Sequence, residues 1–230
     1  MNREIRVLSC NLYSGRADPG ALLGIVERDG VDIVCAQELS RPLAAALSRH
    51  LPYGDVTHEQ IVRGNGIASR FPVDISRIRM PKRDGFVAAL SPQHWGGLPC
   101  PIEIVNVHIS GPHLWPYFPH PVCRHRQLEA LLAERAARVD VPHAILGDFN
   151  SSPIWTVYRR MAARYVDAMA ASGTPRNTWP RVPALGIRGL LRIDHCFLRG
   201  LAARATAVVE LPGSDHFGLR VDLVVDETAP

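Results

Sequence analysis

Ala144-Ile145-Leu146-Gly147-Asp148-Phe149-Asn150 is the stretch on which the fold turns. A short apolar strand runs into a glycine, and a carboxylate and an amide follow at once. A strand that ends in this way delivers polar groups to one edge of a sheet, where loop-borne sites gather. The same event recurs along the chain. Apolar runs end at Asn11, at Gln37-Glu38, at His108, at Asp194-His195 and shortly before Asp215-His216. Any one of these has an ordinary explanation, because Asp and Asn are common turn formers. Their recurrence is the informative part.

Working outward from that strand, Ile5 to Leu12 and Val31 to Ala36 read as buried strands. Asp18-Pro19 opens a helix between them, with Leu22, Leu23, Ile25 and Val26 on one face and Gly30 at its end. Pro42 starts a short helix through Leu47. Gly66 to Ser69, Phe86 to Leu90 and Ile102 to Val107, separated by Gly- and Pro-containing turns, predict antiparallel strands. Gly111 to Val122 carries four prolines, which predicts a loop, rich in aromatics (Trp115, Tyr117, Phe118). An amphipathic helix is expected over Arg124 to Arg138, with Leu128, Leu131 and Leu132 on its apolar face. After a Pro/Gly-rich stretch from Gly173 to Gly189, strands are expected over Leu190 to Leu198, Ala205 to Leu211 and Leu219 to Val225. Helices and strands in this order predict mixed sheets covered by helices, in one domain over residues 1–230.

Composition sets the class. Apolar residues make up 47% of the 230 and charged residues 21%, which excludes a disordered chain. No run approaches the roughly 18 apolar residues of a membrane span, and the first residues lack the apolar segment of a signal peptide, so a cytoplasmic protein is expected, with its oligomeric state open and a monomer assumed. The five scattered cysteines form no C-x-x-C pair and read as free thiols. A net charge of +4 suits a polyanionic partner, although Lys82 is the only lysine and the arginine excess reads as composition bias.

The strand-end residues supply the parts of metal-assisted hydrolysis. Carboxylate oxygens suit Mg²⁺ or Mn²⁺, amides can donate to a phosphoryl oxygen, and histidines move protons near neutral pH. Read in order, Ser9-Cys10-Asn11-Leu12, Cys35-Ala36-Gln37-Glu38, Gly64-Asn65-Gly66-Ile67-Ala68-Ser69-Arg70-Phe71-Pro72, Asn106-Val107-His108, Gly147-Asp148-Phe149-Asn150, Arg192-Ile193-Asp194-His195 and Ser214-Asp215-His216 span nearly the whole chain. In this series the chain resembles the endonuclease/exonuclease/phosphatase superfamily of metal-dependent phosphoesterases, to which pancreatic deoxyribonuclease and apurinic endonucleases belong.

The resemblance implies a four-layer α/β/β/α sandwich, two mixed β-sheets packed face to face with helices outside and one active site at the top edge. It implies Mg²⁺, with Mn²⁺ as a substitute, held by Glu38, Asn11 and Asp215. His216 would take the proton from the attacking water, and Asp194 would fix the tautomer of His216. Asp148 would orient the water, while Asn150 and His108 would donate to the phosphoryl oxygens. Asp148, Asn150 and His216 could instead hold a second ion. Arg124 and Gln127 match an R-x-x-Q pattern, and Arg124, Trp115 and Trp179 are candidate substrate contacts, as are Arg176 and Arg181 beside Thr178-Trp179-Pro180. Two positions depart from the pattern: Tyr13 stands where relatives often place Asp, and His195 where many have Tyr. His195 neighbours Asp194 in an alternating strand, so its side chain is expected on the opposite face, as a core or surface histidine.

Basic charge, arginines near the site loops and stackable aromatics favour a phosphodiesterase acting on DNA, nuclease or repair-like. The alternatives are hydrolysis of a small-molecule or lipid phosphoester, which the short chain and apolar loop favour, and a catalytically silent binding module.

Overall fold

The computed structural model describes residues 3–57, 64–112, 119–173 and 175–226. The chain opens with β1 (Ile5–Asn11), α1 (Pro19–Arg28), β2 (Ile33–Gln37), α2 (Arg41–His50), β3 (Tyr53–Thr57) and β4 (Asn65–Ser69). β5 (Asp74–Ile78), β6 (Gly85–Leu90), β7 (Ile102–His108), α3 (Pro119–Ala136) and β8 (His143–Asp148) make up the middle. It closes with α4 (Thr156–Ala162), β9 (Val166–Asp167), α5 (Ala168–Ala171), β10 (Trp179–Val182), β11 (Ile187–Leu191), β12 (Asp194–Arg199), β13 (Leu201–Val209) and β14 (Gly218–Val225).

Two six-stranded mixed sheets result, ordered β13-β14-β1-β2-β4-β3 and β5-β6-β7-β8-β12-β9. Each is built around a parallel pair, β1 with β2 and β7 with β8, and every other pairing is antiparallel. Parallel neighbours end on the same edge of a sheet. Asn11 therefore lies beside Gln37 and His108 beside Asp148, while antiparallel β12 begins with Asp194 opposite Asp148.

The sequence spells out three apolar layers. Val7, Ile33, Leu219 and Val221 pack between the sheets against Ile104, Leu146 and Cys196. Leu8, Cys10 and Val34, which alternate with the first set, face Leu22, Ile25, Leu43 and Leu47 of α1 and α2. Val105, Val107, Ile145 and Phe197 face Leu128, Leu131 and Met161 of α3 and α4. The expected four-layer sandwich is what the structure shows.

Local signals place the first helices. The Asp18 side chain accepts from the Ala21 amide at 2.6 Å, Pro19 occupies the first turn, and Gly30 turns the chain away at φ 62°. Three expectations are corrected. α3 begins at Pro119, inside the stretch expected to be loop, because proline is tolerated in a first helical turn where its missing N–H has no partner anyway. The buried face of that helix is less purely apolar than expected: Arg124, Gln127 and Arg135, at helical spacing with Leu128 and Leu131, are buried and bonded. The strand expected over Leu190 to Leu198 is two strands in different sheets, β11 and β12, and the Pro/Gly-rich stretch before it supplies β10, the hairpin partner of β11.

Beneath the strand ends the sheets meet through polar side chains. Gln37 Nε2 donates to Asn106 Oδ1 at 2.7 Å, and Asn106 Nδ2 donates to the Gly66 carbonyl at 2.7 Å and to Asn65 Oδ1 at 3.1 Å. This buried bridge joins the first sheet to the second directly below Glu38 and His108.

Candidate active site

A cleft of about 340 Å³ opens at that edge, lined among others by Asn11, Glu38, His108, Asp148, Asn150, Asp215 and His216. The turns that carry these side chains are bent sharply. Tyr13, Ser14, Glu38 and Asn150 all have positive φ, between 47° and 56°, a conformation that costs a side-chain-bearing residue of order 1 kcal/mol or more and collects at functional sites. Gly147 is required one residue before Asp148: at φ 143° a Cβ there would lie 1.8 Å from the Val107 carbonyl oxygen of the neighbouring strand.

Hydrogen bonds fix each group. Glu38 Oε2 accepts from the Ser14 amide at 2.6 Å and from its hydroxyl at 3.2 Å. Asp148 Oδ1 accepts from the Asn150 amide at 2.7 Å, and its Oδ2 accepts at 3.0 Å from the side chains of both Asn11 and Asn150. The Ser214 hydroxyl donates to the Asn11 carbonyl and accepts from the His216 amide, so the Asp215-His216 turn is tied to the end of β1. Thr178 Oγ1 accepts from the Asp194 amide. His216 Nδ1 lies 3.0 Å from Asp194 Oδ2, while its Nε2 faces Asp148 Oδ2 at 4.0 Å.

The electrostatics follow from crowding. Burial works against a charged imidazole at His216, but the bonded Asp194 carboxylate, with Asp148 and Asp215 close by, outweighs it and pushes the group up to about 10. Burial and then the Asp194 charge push Asp148 up to about 7. Burial, helped by the charges of Arg83 and His216, holds His108 well below its usual value. His108 is therefore a neutral N–H donor, and its 3.5 Å approach to Asp148 Oδ2 is not an ion pair.

One observation tests the fit of a cation. Asp215 Oδ2 accepts from Trp179 Nε1 at 3.0 Å, whereas its Oδ1 is buried without a hydrogen-bond partner. A bare buried carboxylate oxygen in the cleft that Glu38 also lines is a poor arrangement for the chain alone and a suitable one for a hard divalent ion. The side-chain oxygen of Asn11 accepts from the Tyr13 amide while its nitrogen donates to Glu38 and Asp148, so Asn11 orients those carboxylates. Asp148, Asp194 and His216 also place ligand atoms within 4.8 Å of one another, and with His216 Nδ1 in contact with Asp194 its Nε2 is the nitrogen that faces Asp148.

The profile of the Endonuclease/Exonuclease/phosphatase family matches residues 8–216. The chain belongs to this family. No curated protein sequence matches it. Among solved structures it is similar to an endonuclease/exonuclease/phosphatase from Beutenbergia cavernae (20% identity, 97% of this chain and 72% of that one, TM-score 0.74). It is also similar to D. rerio TDP2 in complex with a single-stranded DNA product (17% identity, 96% and 99%, TM-score 0.74). A Bacteroides thetaiotaomicron mannosyl-6-phosphatase is a third (16% identity, 96% and 99%, TM-score 0.71). At such identities the likeness establishes the shared phosphoesterase fold.

The structure thus brings Asn11, Glu38, His108, Asp148, Asn150, Asp194, Asp215 and His216 to one place, with Trp179 on its wall. Arg124 does not line this cleft: its guanidinium lies behind the wall, donating to the carbonyls of Ser110 and Asn150. Arg181 pairs with Glu210 and packs over Phe217. Trp115, Tyr117 and Phe118 lie outside the described residues. His195 points to the helix-covered face, as alternation requires, and contacts the Ser151 carbonyl at 2.7 Å. Sequence reasoning gave no part to Ser14, Arg83, Trp155, Leu191 and Ile193, all of which line the cleft. Trp155 stands five residues after Asn150, near enough to have been suspected; Arg83 carries no sequence signal at all. Among the described residues no helix is long and apolar enough to cross a membrane.

Proposed function

We propose that this chain is a divalent-cation-dependent phosphodiesterase acting on DNA, with the substrate entering as a strand end. The observation that carries the reading is the convergence of Glu38, Asp148, Asp194 and Asp215 with His108, Asn150 and His216 on one cleft. Glu38 and Asp215 would hold Mg²⁺ or Mn²⁺, which supplies Lewis acidity to a phosphoryl oxygen and lowers the pKa of water. His216 accepts the proton of the attacking water once the surrounding negative charge is compensated, and Asp194 holds its Nδ1 hydrogen and stabilises the imidazolium. Asp148 orients that water. Asn150 exchanges its Asp148 partner for a non-bridging oxygen, and neutral His108 donates to another as charge develops there. The cleft volume suits a single nucleotide unit, and Arg83 with Trp155 and Trp179 on its walls offers one charge and two rings, too little basic surface to grip a duplex.

A second reading, a small-molecule or lipid phosphoester, is favoured by the exposure of Leu185 (73%) and Leu190 (65%) on the β10–β11 hairpin that borders the cleft. A silent binding module is disfavoured by the full set of acidic and imidazole groups. Hydrolysis of single-stranded and plasmid DNA, bis-p-nitrophenyl phosphate, phosphomonoesters and phospholipid vesicles, each with Mg²⁺, Mn²⁺ or EDTA, separates these readings. Cleavage of single strands that EDTA abolishes and rising salt weakens is the expected result; turnover of vesicles or monoesters with none of DNA would replace it with the second reading. Mg²⁺ at a hundred times its Kd should also stabilise the wild-type protein by about 2.7 kcal/mol and leave Glu38→Ala unmoved in thermal melts.

A further inference from the structure

A second cavity, of about 380 Å³, lies between α3 and α4 and is separated from the cleft by residues the two share, Trp155 and Pro112. Its apolar part is made by Leu128 and Val157, and Trp155, 36% exposed, presents a ring that nothing in the core requires. Its charge is Arg124, a side chain only 8% exposed. Both terminal nitrogens of Arg124 donate to backbone carbonyls, those of Ser110 and Asn150, and the described residues place no carboxylate at ion-pair distance from it. Arg160 on the same wall is different, since Glu129 at 2.5 Å neutralises it. A buried guanidinium held by uncharged groups beside a free aromatic face is an arrangement for a ring that carries or adjoins an anion.

We propose that the α3–α4 cavity is a second substrate subsite, which takes the nucleotide next to the scissile phosphate by stacking its base on Trp155 and placing its phosphate toward Arg124. The inference rests on the DNA reading above and makes it narrower: the preferred substrate is a strand at least two nucleotides long. Trp155 sets specificity by contact with substrate, and the Arg124 fork also braces the Asn150 turn, so occupation of the subsite and positioning of Asn150 share one side chain.

The test compares kcat/KM for a single-stranded oligonucleotide with kcat/KM for bis-p-nitrophenyl phosphate, which has one phosphate and reaches only the cleft. Because Arg124→Ala would unfasten two backbone carbonyls, the informative variants are Trp155→Ala, Trp155→Phe and Thr156→Glu. Thr156 is exposed, lines only the second cavity and begins α4, where an acidic side chain is favourable to the helix, so Thr156→Glu is expected to fold, which an unchanged melting temperature checks. Because Trp155 also borders the cleft, Trp155→Ala should weaken turnover of both substrates but that of the oligonucleotide more, lowering the oligonucleotide-to-diester ratio at least about tenfold, chiefly through KM, the factor that 1.4 kcal/mol of stacking represents. Trp155→Phe should recover most of it, and Thr156→Glu should lower it in a way that salt relieves. Wild-type activity on both substrates with a ratio unmoved by Trp155→Ala and Thr156→Glu overturns the subsite alone. Wild-type turnover of the diester without any of the oligonucleotide overturns the DNA reading and the subsite with it.

Discussion

Strand β12 carries two buried polar clusters on its opposite faces, and they are built from the same side-chain types to opposite ends. On the helix-covered face, His195 sits with Asp167, Arg192 and Tyr158. Arg192 meets Asp167 at 2.5 Å, the Tyr158 hydroxyl donates to the same carboxylate at 2.8 Å, and the other oxygen of Asp167 accepts the Met169 and Ala170 amides. Every charge there has its complement. Burial tends to raise Asp167, but Arg192 and those amides outweigh it and hold the carboxyl below its ordinary value, while burial and then Arg192 push His195 down to about 4. On the cleft face, His216 is as deeply placed, yet it is pushed up to about 10 because carboxylates surround it. Burial is common to both; partner charge decides the sign. The helix-face cluster balances its charge internally, whereas the cleft cluster gathers more carboxylates than cationic groups.

The comparison can be broken most decisively at His216. His216→Ala should lower kcat by about 10²- to 10⁴-fold, with the melting temperature little changed, and Asp194→Asn should behave similarly. Near wild-type turnover by either would make the cleft cluster structural, like its counterpart. Asp167→Asn is the reciprocal experiment. It leaves the Arg192 charge buried without a counter-ion and should cost about 3–5 kcal/mol in urea unfolding, with turnover per folded molecule retained. A cost below about 1 kcal/mol would mean that the helix-face cluster is not what holds β9 to β12. The gentlest probe is pH. An unfolded imidazole protonates near pH ~6.5 and His195 in the fold only near 4, so the unfolded state takes up the extra proton and stability falls as pH drops through that interval, by about 3 kcal/mol. Unfolding curves at pH 7, 5.5 and 4 should show this loss, with a shallower fall in His195→Gln; equal slopes would remove His195 as its source.

Much of the site was legible because strand ends are written locally. Asn11, Glu38, Asp148 and Asp194 each follow an apolar run, and the parallel pairing of β1 with β2 and β7 with β8 converts that local fact into a shared edge. The opposite orientation of His195 also followed from alternation alone. The burial of Arg124 was not legible, because the sequence does not record that its guanidinium donates to the carbonyls of Ser110 and Asn150. Arg83 and Trp155 entered the cleft from loops whose paths no local pattern records.

By itself the sequence determined the order of elements, the alternation that sorts three apolar layers, and the chemical kind of each group delivered to the strand ends, since these depend on neighbours along the chain. Only the tertiary structure decided which of those groups share a volume, that Asn11 turns its nitrogen and not its oxygen toward the carboxylates, and that one histidine is driven up while another is driven down. Those outcomes depend on charges and carbonyls contributed by residues far apart in the chain, whose distances are set when the two sheets pack.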